Sequence, residues 1–141
     1  MKTKIDSFQG DYRFLSNFWY AKVVLDGVDY RSVEHAYMAA KTLDQSLRNQ
    51  IRSFDKPGDV KRFCRTITLR EDWEEVKFGV MLDLVRQKFY IEPLKSKLLE
   101  TGDAELIEGN TWGDTYWGVC RGKGQNNLGK ILMQVRSELV A

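Results

Sequence analysis

An apolar stripe between residues 72 and 89 constrains the fold more than any other feature of this 141-residue sequence. Its members recur mainly at steps of three and four residues and are Trp73, Val76, Val80, Leu84 and Val85. This spacing is typical of a helix that buries one face. A second stripe, from Leu128 to Leu139, predicts another amphipathic helix near the carboxyl end. The chain is therefore expected to form helices that pack on a common core.

Turn and capping residues predict the shorter elements of the first half. Residues 18–25 are rich in β-branched and aromatic side chains and lead into Asp26-Gly27, which favours a hairpin with a primed turn. Helix N-caps are expected at three residues, which are Ser32, Asp44 and Asp59. The first of them predicts a helix over residues 33–42.

In the second half, Pro93 predicts the start of a helix that ends at Thr101-Gly102, and Leu106-Ile107 predicts a short strand. Strands and helices do not alternate in a long βαβ series, so a doubly wound fold is not expected. The prediction is an α+β fold: a mostly helical single domain over residues 1–141 with a small antiparallel sheet.

Composition excludes several functional classes. The 22 basic and 20 acidic side chains give a net charge of only +2, which does not indicate a nucleic-acid or membrane-surface protein. Cys64 and Cys120 share no short spacing and His35 is the single histidine, so neither a metal site nor a cofactor is expected. Without a signal peptide or membrane-spanning apolar run, a cytoplasmic protein with reduced thiols is predicted.

The segment from Gly109 to Gly118 combines three large aromatic residues and one carboxylate with three glycines. Indole and phenol rings offer flat apolar faces on which a heterocyclic base stacks, and Asp114 adds an acceptor or a base. The segment is thus predicted to wall a pocket for a planar ligand. Because large aromatics are more often core residues, Trp117 remains a structural candidate as well, and Trp112 is the better stacking candidate.

Helical geometry places Glu34 and Lys41 on nearly the same side of the predicted helix, about 10 Å apart along its axis. The alternative is that both simply complement the helix dipole. His35 points about 100° away from Glu34 and belongs to no visible triad, which favours a structural role over contact with substrate.

Two further groups are candidates for binding. Between residues 118 and 130, glycines alternate with basic and amide side chains, and this segment is either a phosphate cradle or a mobile surface turn. Its candidate binding residues are Gly118, Asn127 and Lys130. Near the amino end, residues that are candidates to line the same cavity are Arg13, Asn17 and Phe18.

Several motifs resemble those of the YbiA-like, or NADAR, family. They are Phe14-Leu15-Ser16-Asn17-Phe18, Ser32-Val33-Glu34-His35-Ala36-Tyr37 with Lys41, Asp72-Trp73, Asp114 with Trp117-Gly118, and Asn127-Leu128-Gly129-Lys130-Ile131-Leu132-Met133. Two departures are Met38, where the family commonly has glutamine, and residues 110–113, which differ from the version typical of riboflavin-intermediate enzymes. Both leave the substrate subclass open.

The resemblance implies N-glycosidase chemistry, the cleavage of a C–N bond between ribose and a base. The implied substrates are either ribosylaminopyrimidine phosphates of riboflavin synthesis or ADP-ribose on guanine in nucleic acid. It also implies active-site acids at Glu34 and Asp114, aromatic walls at Trp112 and Trp117, and an amine at Lys41 that engages the sugar. Two alternatives stay open: a non-catalytic binder of ADP-ribose or NAD, and a plain nucleic-acid module, which the balanced charge disfavours.

Overall fold

The structure is a computed structural model that describes residues 3–140, and these divide into two compact units. One unit is continuous, from Asn17 to Lys88, and is called here the hairpin unit. The other, the loop unit, joins residues 3–16 to residues 89–140. Helices make up the larger share of the secondary structure, as predicted.

The hairpin unit is built around one short helix. Its elements are β2 (Tyr20–Leu25), β3 (Val28–Ser32), α1 (Val33–Ala40), α2 (Gln45–Ser53), α3 (Pro57–Phe63), a 3-10 turn (Cys64–Thr66) and α4 (Trp73–Lys88). α1 packs against α2, α3, α4 and both strands, and every one of its residues is buried. A ring contact between Tyr37 and Trp73, with centroids 5.1 Å apart, joins α1 to the first residue of α4.

The predicted hairpin and two of the three predicted caps are confirmed. β2 and β3 pair antiparallel, and positive φ angles at Asp26 (49°) and Gly27 (81°) form the primed turn between them. Ser32 accepts a hydrogen bond from the backbone of His35 at 3.1 Å. Asp44 accepts from the first two amides of α2 that follow Gln45, at 2.8 and 3.2 Å.

The predicted cap at Asp59 is wrong. α3 begins at Pro57, so its N-cap is Lys56, and Asp59 lies within the first turn, where it pairs with Arg62. The fixed φ of proline favours the first helical position, which moves the start of α3 two residues ahead of Asp59.

The loop unit contains shorter elements. They are β1 (Lys4–Ile5), a 3-10 turn (Gly10–Leu15), α5 (Leu94–Glu100), β4 (Glu105–Leu106), β5 (Gly109–Asn110), β6 (Val119–Cys120) and α6 (Asn127–Val140). β1 pairs with β4 and β5 pairs with β6, and both pairs are parallel. The antiparallel sheet that was predicted is therefore confined to the β2–β3 hairpin. β1 and β4 are far apart in sequence, whereas β5 and β6 are separated only by residues 111–118; neither parallel pairing was predicted.

Close packing of α6 depends on a glycine. A Cβ at Gly129 would clash with the carbonyl oxygen of Leu106 in β4, so the helix approaches the strand more closely than another residue allows. α6 also packs against α5, where Arg136 donates to the hydroxyl of Thr101 at 2.8 Å. Over residues 3–140, no helix has the length and hydropathy needed to cross a membrane.

Candidate active site

Glu34 is held in the first turn of α1, with only 7% of its surface exposed. Its backbone N–H donates to the carbonyl of Asn17 at 3.1 Å, which ties the start of α1 to the segment before β2. The Asn17 side chain in turn contacts the Met81 sulfur in α4 at 3.5 Å. The start of α1, which carries Glu34, is therefore bound to the segment before β2, and that segment is bound in turn to α4.

Lys41 follows the last turn of α1 and is half-buried. Its Nζ lies 5.7 Å from the centroid of the Tyr37 ring. Its own carbonyl accepts from the backbone of Arg70 at 2.7 Å. The buried Arg48 donates through Nε to the carbonyls of Ala39 and Thr42, at 3.1 and 2.8 Å, so the backbone on either side of Lys41 is clamped.

The charges of Glu34 and Lys41 both affect the pKa of the Cys64 thiol. Burial raises the pKa of Cys64 to about 11, while the charge of Lys41 lowers it and that of Glu34 raises it further. Both charges therefore act electrostatically on the same sulfur. The thiol itself stays protonated near neutral pH and is a poor nucleophile there.

His35, a candidate to contact substrate, is enclosed in the core of the hairpin unit. It is 0% exposed, and both ring nitrogens are engaged, with Nδ1 2.7 Å from the Ser32 hydroxyl and Nε2 2.8 Å from the Phe54 carbonyl. Burial lowers the pKa of His35, against the opposing hydrogen bond to Phe54. The ring joins the N-cap of α1 to the end of α2, which is the structural role that its sequence context favours.

Lys88 is a buried group that sequence reasoning missed. It ends α4, is 1% exposed, and burial lowers its pKa to about 7. A lysine in the last helical turn is easily read as a partner of the helix dipole. The available signal was its spacing, because Lys88 continues at the next step the stripe of Met81, Leu84 and Val85.

In the loop unit, Asp114 organises the aromatic loop, residues 109–118. Its Oδ1 accepts from the backbone of Tyr116 at 3.1 Å and of Trp117 at 2.9 Å. The Asn110 side chain accepts from the Asp114 N–H at 3.1 Å and donates to its carbonyl at 2.9 Å. The loop is thus wound around a carboxylate, which gives Asp114 a structural function whatever its chemistry.

The two tryptophans of this loop differ in exposure. Trp112 is 57% exposed and follows the pattern of a stacking surface. Trp117 is half-buried and meets the Tyr116 ring edge to face, with centroids 4.8 Å apart. Gly118 is buried, and a Cβ there would clash with Glu108, so this residue serves close packing of the loop on β5.

The backbone amides at the start of α6 do not form an open phosphate cradle. The Asn127 and Leu128 N–H groups donate to the carbonyls of Tyr116 and Trp117, at 3.2 and 3.0 Å. These donors hold the aromatic loop instead, so phosphate binding in this region falls to side chains. Asn127 is buried, whereas Lys130 is exposed.

The predicted site residues therefore form two groups. Those in the hairpin unit are Asn17, Phe18, Glu34, His35 and Lys41. Those in the loop unit are Arg13, Trp112, Asp114, Trp117, Gly118, Asn127 and Lys130. Arg13 donates to the Gln9 side chain at 3.0 Å within the 3-10 turn of its own unit. No cluster of three or more His, Cys, Asp or Glu side chains suits a metal ion in the part of the chain that is described.

Several known proteins are similar to this chain in sequence and in fold. The NADAR domain model matches residues 6–140. The N-glycosidase YbiA of Escherichia coli is 39% identical over 137 residues, which cover 94% of this chain and 85% of that protein. A riboflavin biosynthesis protein of Vibrio vulnificus is 37% identical over 133 residues, which cover 92% of this chain and 36% of that protein.

The fold agrees with these sequence matches. The NMR structure of E. coli YbiA aligns with a TM-score of 0.85 at 36% identity, over 99% of this chain and 87% of that one. The resemblance read from the motifs is confirmed. Because the NADAR domain model matches nearly the whole chain, the chain belongs to the NADAR domain family.

Proposed function

We propose that the protein is an N-glycosidase, which hydrolyses the C–N bond between a ribose and a base. The observation that carries the proposal is the fully buried helix α1, which holds Glu34 in its first turn and is followed directly by Lys41. A carboxylate stabilises the positive charge that develops on the sugar, and an amine can form a covalent intermediate with it. The N-glycosidase names of relatives from Escherichia coli and Nostoc punctiforme support the same activity.

Glu34 stabilises the charge that develops during cleavage. Loss of the base builds positive, oxocarbenium-like charge on the sugar, and a carboxylate nearby lowers the energy of that state. Two features strengthen this effect for Glu34: the start of a helix favours negative charge, and its burial reduces screening by water.

Lys41 traps the sugar. Its amine nitrogen forms a bond to the anomeric carbon as the C–N bond to the base breaks, and the base leaves with that electron pair and takes up a proton. The sugar ring then opens to a Schiff base on Lys41. Water hydrolyses the Schiff base, which releases the sugar and restores the amine.

The loop unit supplies recognition in this proposal. Trp112 or Trp117 stacks on the base, and Lys130 with Asn127 contacts phosphate. Asp114 acts as a second carboxylate in addition to organising the loop, and Arg13, Asn17 and Phe18 are further proposed substrate contacts. The chain functions as a single domain in the cytoplasm, where the two free cysteines stay reduced.

Two substrate classes are compared directly in the test. The purified protein is incubated with ribosylaminopyrimidine phosphate and, separately, with DNA that carries ADP-ribosylated guanine, and released sugar is measured. Turnover of either supports the glycosidase and identifies its substrate class. Binding of ADP-ribose without turnover of either contradicts it and indicates a non-catalytic binder.

The covalent step has its own test. Borohydride added during turnover is expected to reduce the Schiff base and leave a sugar adduct on Lys41, detectable by mass spectrometry. Lys41→Arg is the matched variant, because it keeps the positive charge and cannot form the imine. Full turnover by Lys41→Arg without any trapped adduct would contradict the covalent step and leave the hydrolysis itself standing.

A further inference from the structure

The hairpin unit contains a concave site whose lining includes neither Glu34 nor Lys41. It is a cavity of about 630 Å³ between the β2–β3 hairpin and α2. This volume lies within the range of pockets that bind small molecules and suits a nucleotide. It is called here the hairpin cavity.

The lining of the hairpin cavity is basic. Three cationic side chains, Lys22, Arg31 and Arg52, contribute to it, against the single carboxylate of Asp29. Arg52 donates through Nε to the Asp29 backbone carbonyl at 2.6 Å, which fixes the guanidinium without neutralising it. Within residues 3–140, no carboxylate lies at ion-pair distance from Arg52. Its charge is available to an anion.

The other two cations hold only exposed carboxylates. Lys22 pairs with Asp29 at 3.3 Å, and the two side chains are 73% and 49% exposed. Arg31 pairs with the carboxylate of Asp55, which is 85% exposed. Exposed ion pairs of this kind contribute little to stability, so a phosphate exchanges with the carboxylates at small cost.

An aromatic surface lies beside these charges. Tyr20 lines the hairpin cavity and is 58% exposed, and its hydroxyl donates to the Asp55 carbonyl at 2.8 Å. The hydrogen bond fixes the ring while leaving apolar surface open to solvent. A cation cluster next to an exposed aromatic ring is the combination that recognises nucleotides, since one binds phosphate and the other stacks on a base.

We propose that the hairpin cavity binds the phosphate of a nucleotide, with Arg52 as the main ligand, Arg31 as the second, and Tyr20 stacked against the base. The ligand is either a free nucleotide or one nucleotide of a nucleic-acid strand, because both present the same phosphate and base. The inference is independent of the proposed glycosidase, since it concerns binding at residues that take no part in that reaction.

Binding is tested with two probes. A fluorescent single-stranded DNA of about eight nucleotides is followed by anisotropy, and ADP is titrated as its competitor. Arg52→Ala is expected to weaken binding about tenfold, the typical effect of losing one hydrogen bond to a charged group, whereas Arg52→Lys retains most of the affinity. Competition by ADP assigns the site to free nucleotides, and binding of the strand alone assigns it to nucleic acid.

Two controls locate the binding. Arg65→Ala removes an exposed arginine of the same unit that does not line the cavity, and its affinity is expected to equal that of the wild type. Lys130→Ala removes the phosphate contact proposed for the active site and is expected to leave hairpin-cavity binding unchanged. Equal effects of Arg52→Ala and Arg65→Ala, or a loss seen only in Lys130→Ala, would overturn the inference. Failure here leaves sugar release by the enzyme unaffected, so the two proposals fail separately.

Discussion

α1 and the aromatic loop hold their candidate site residues in place by different means. All eight residues of α1 are buried, and Glu34 within it and Lys41 directly after it are positioned by helix packing and by clamped backbone. The aromatic loop is partly exposed and held by hydrogen bonds to one carboxylate, Asp114, and one amide, Asn110. Under the proposed function, the groups assigned to chemistry are carried on buried core structure, while the groups assigned to ligand recognition are carried on a surface loop.

The strongest test of the helix side is Glu34→Gln. The change keeps the shape of the side chain and removes its charge, so turnover is expected to fall about 100- to 1000-fold with a much smaller change in substrate affinity. Glu75→Gln, in the first turn of the exposed face of α4, is the matched control and should retain full activity. Equal turnover in the two variants would remove α1 from the catalytic role.

Lys88 tests how strongly the core of the same unit penalises charge. Burial lowers its pKa from 10.5 to about 7, so between these values the unfolded chain binds more protons than the folded chain. Stability is therefore expected to rise with pH over this window, by about 1.4 kcal/mol per pH unit at most. Denaturant titrations at pH 7 and pH 9 measure the change, and Lys88→Met should lack it. An identical pH dependence in wild type and variant would show that Lys88 is not the cause.

On the loop side, Asp114 separates structure from charge. Asp114→Ala removes the acceptor for two backbone amides and is expected to cost about 1–2 kcal/mol, as for the loss of a helix cap. Asp114→Asn keeps an acceptor oxygen, so it should retain that stability in thermal unfolding. If Asp114→Asn is nevertheless slow in turnover, the carboxylate has a chemical role. Full turnover would restrict Asp114 to organising the loop.

The smallest expected effect belongs to Trp112→Ala. Because this side chain is 57% exposed, unfolding free energy should change by less than about 0.5 kcal/mol. Substrate affinity should fall about fivefold, as for the loss of one weak stacking contact. Calorimetric unfolding and KM are the measurements. A large loss of stability without a change in KM would make Trp112 a structural residue and weaken the contrast between loop and helix.

The fold was predictable where the signal is local. Ser32 and Asp44 cap their helices because a short polar side chain reaches the next free amides, and Asp26-Gly27 turns because both residues accept positive φ. The stripe from Trp73 to Val85 predicted α4 within one residue of its start. Asp59 failed because a competing local signal, Pro57, was stronger. The single-domain expectation for residues 1–141 stays a prediction.

The candidate site was predictable in composition and not in detail. Helical periodicity placed Glu34 and Lys41 on one side of a predicted helix; the helix is confirmed as α1, and a shared site for the two residues stays a prediction. The chemical roles of both residues, and the binding roles of Trp112 and Lys130, stay predictions. The hydrogen bond between His35 and the Phe54 carbonyl could not be predicted, because sequence spacing does not bring these two segments together.

By itself, the sequence determined most of the helices, the caps at Ser32 and Asp44, the hairpin turn and the family, since each depends on contacts within a few residues or on a linear motif. Tertiary structure alone decided that Lys88 is buried and that one oxygen of Asp114 accepts hydrogen bonds from loop amides. It also decided that the first amides of α6 donate to carbonyls of the aromatic loop. The physical reason is that burial and hydrogen-bond saturation are set by whichever distant segments pack nearby. Local patterns specify which groups exist, and packing specifies which of them remain available.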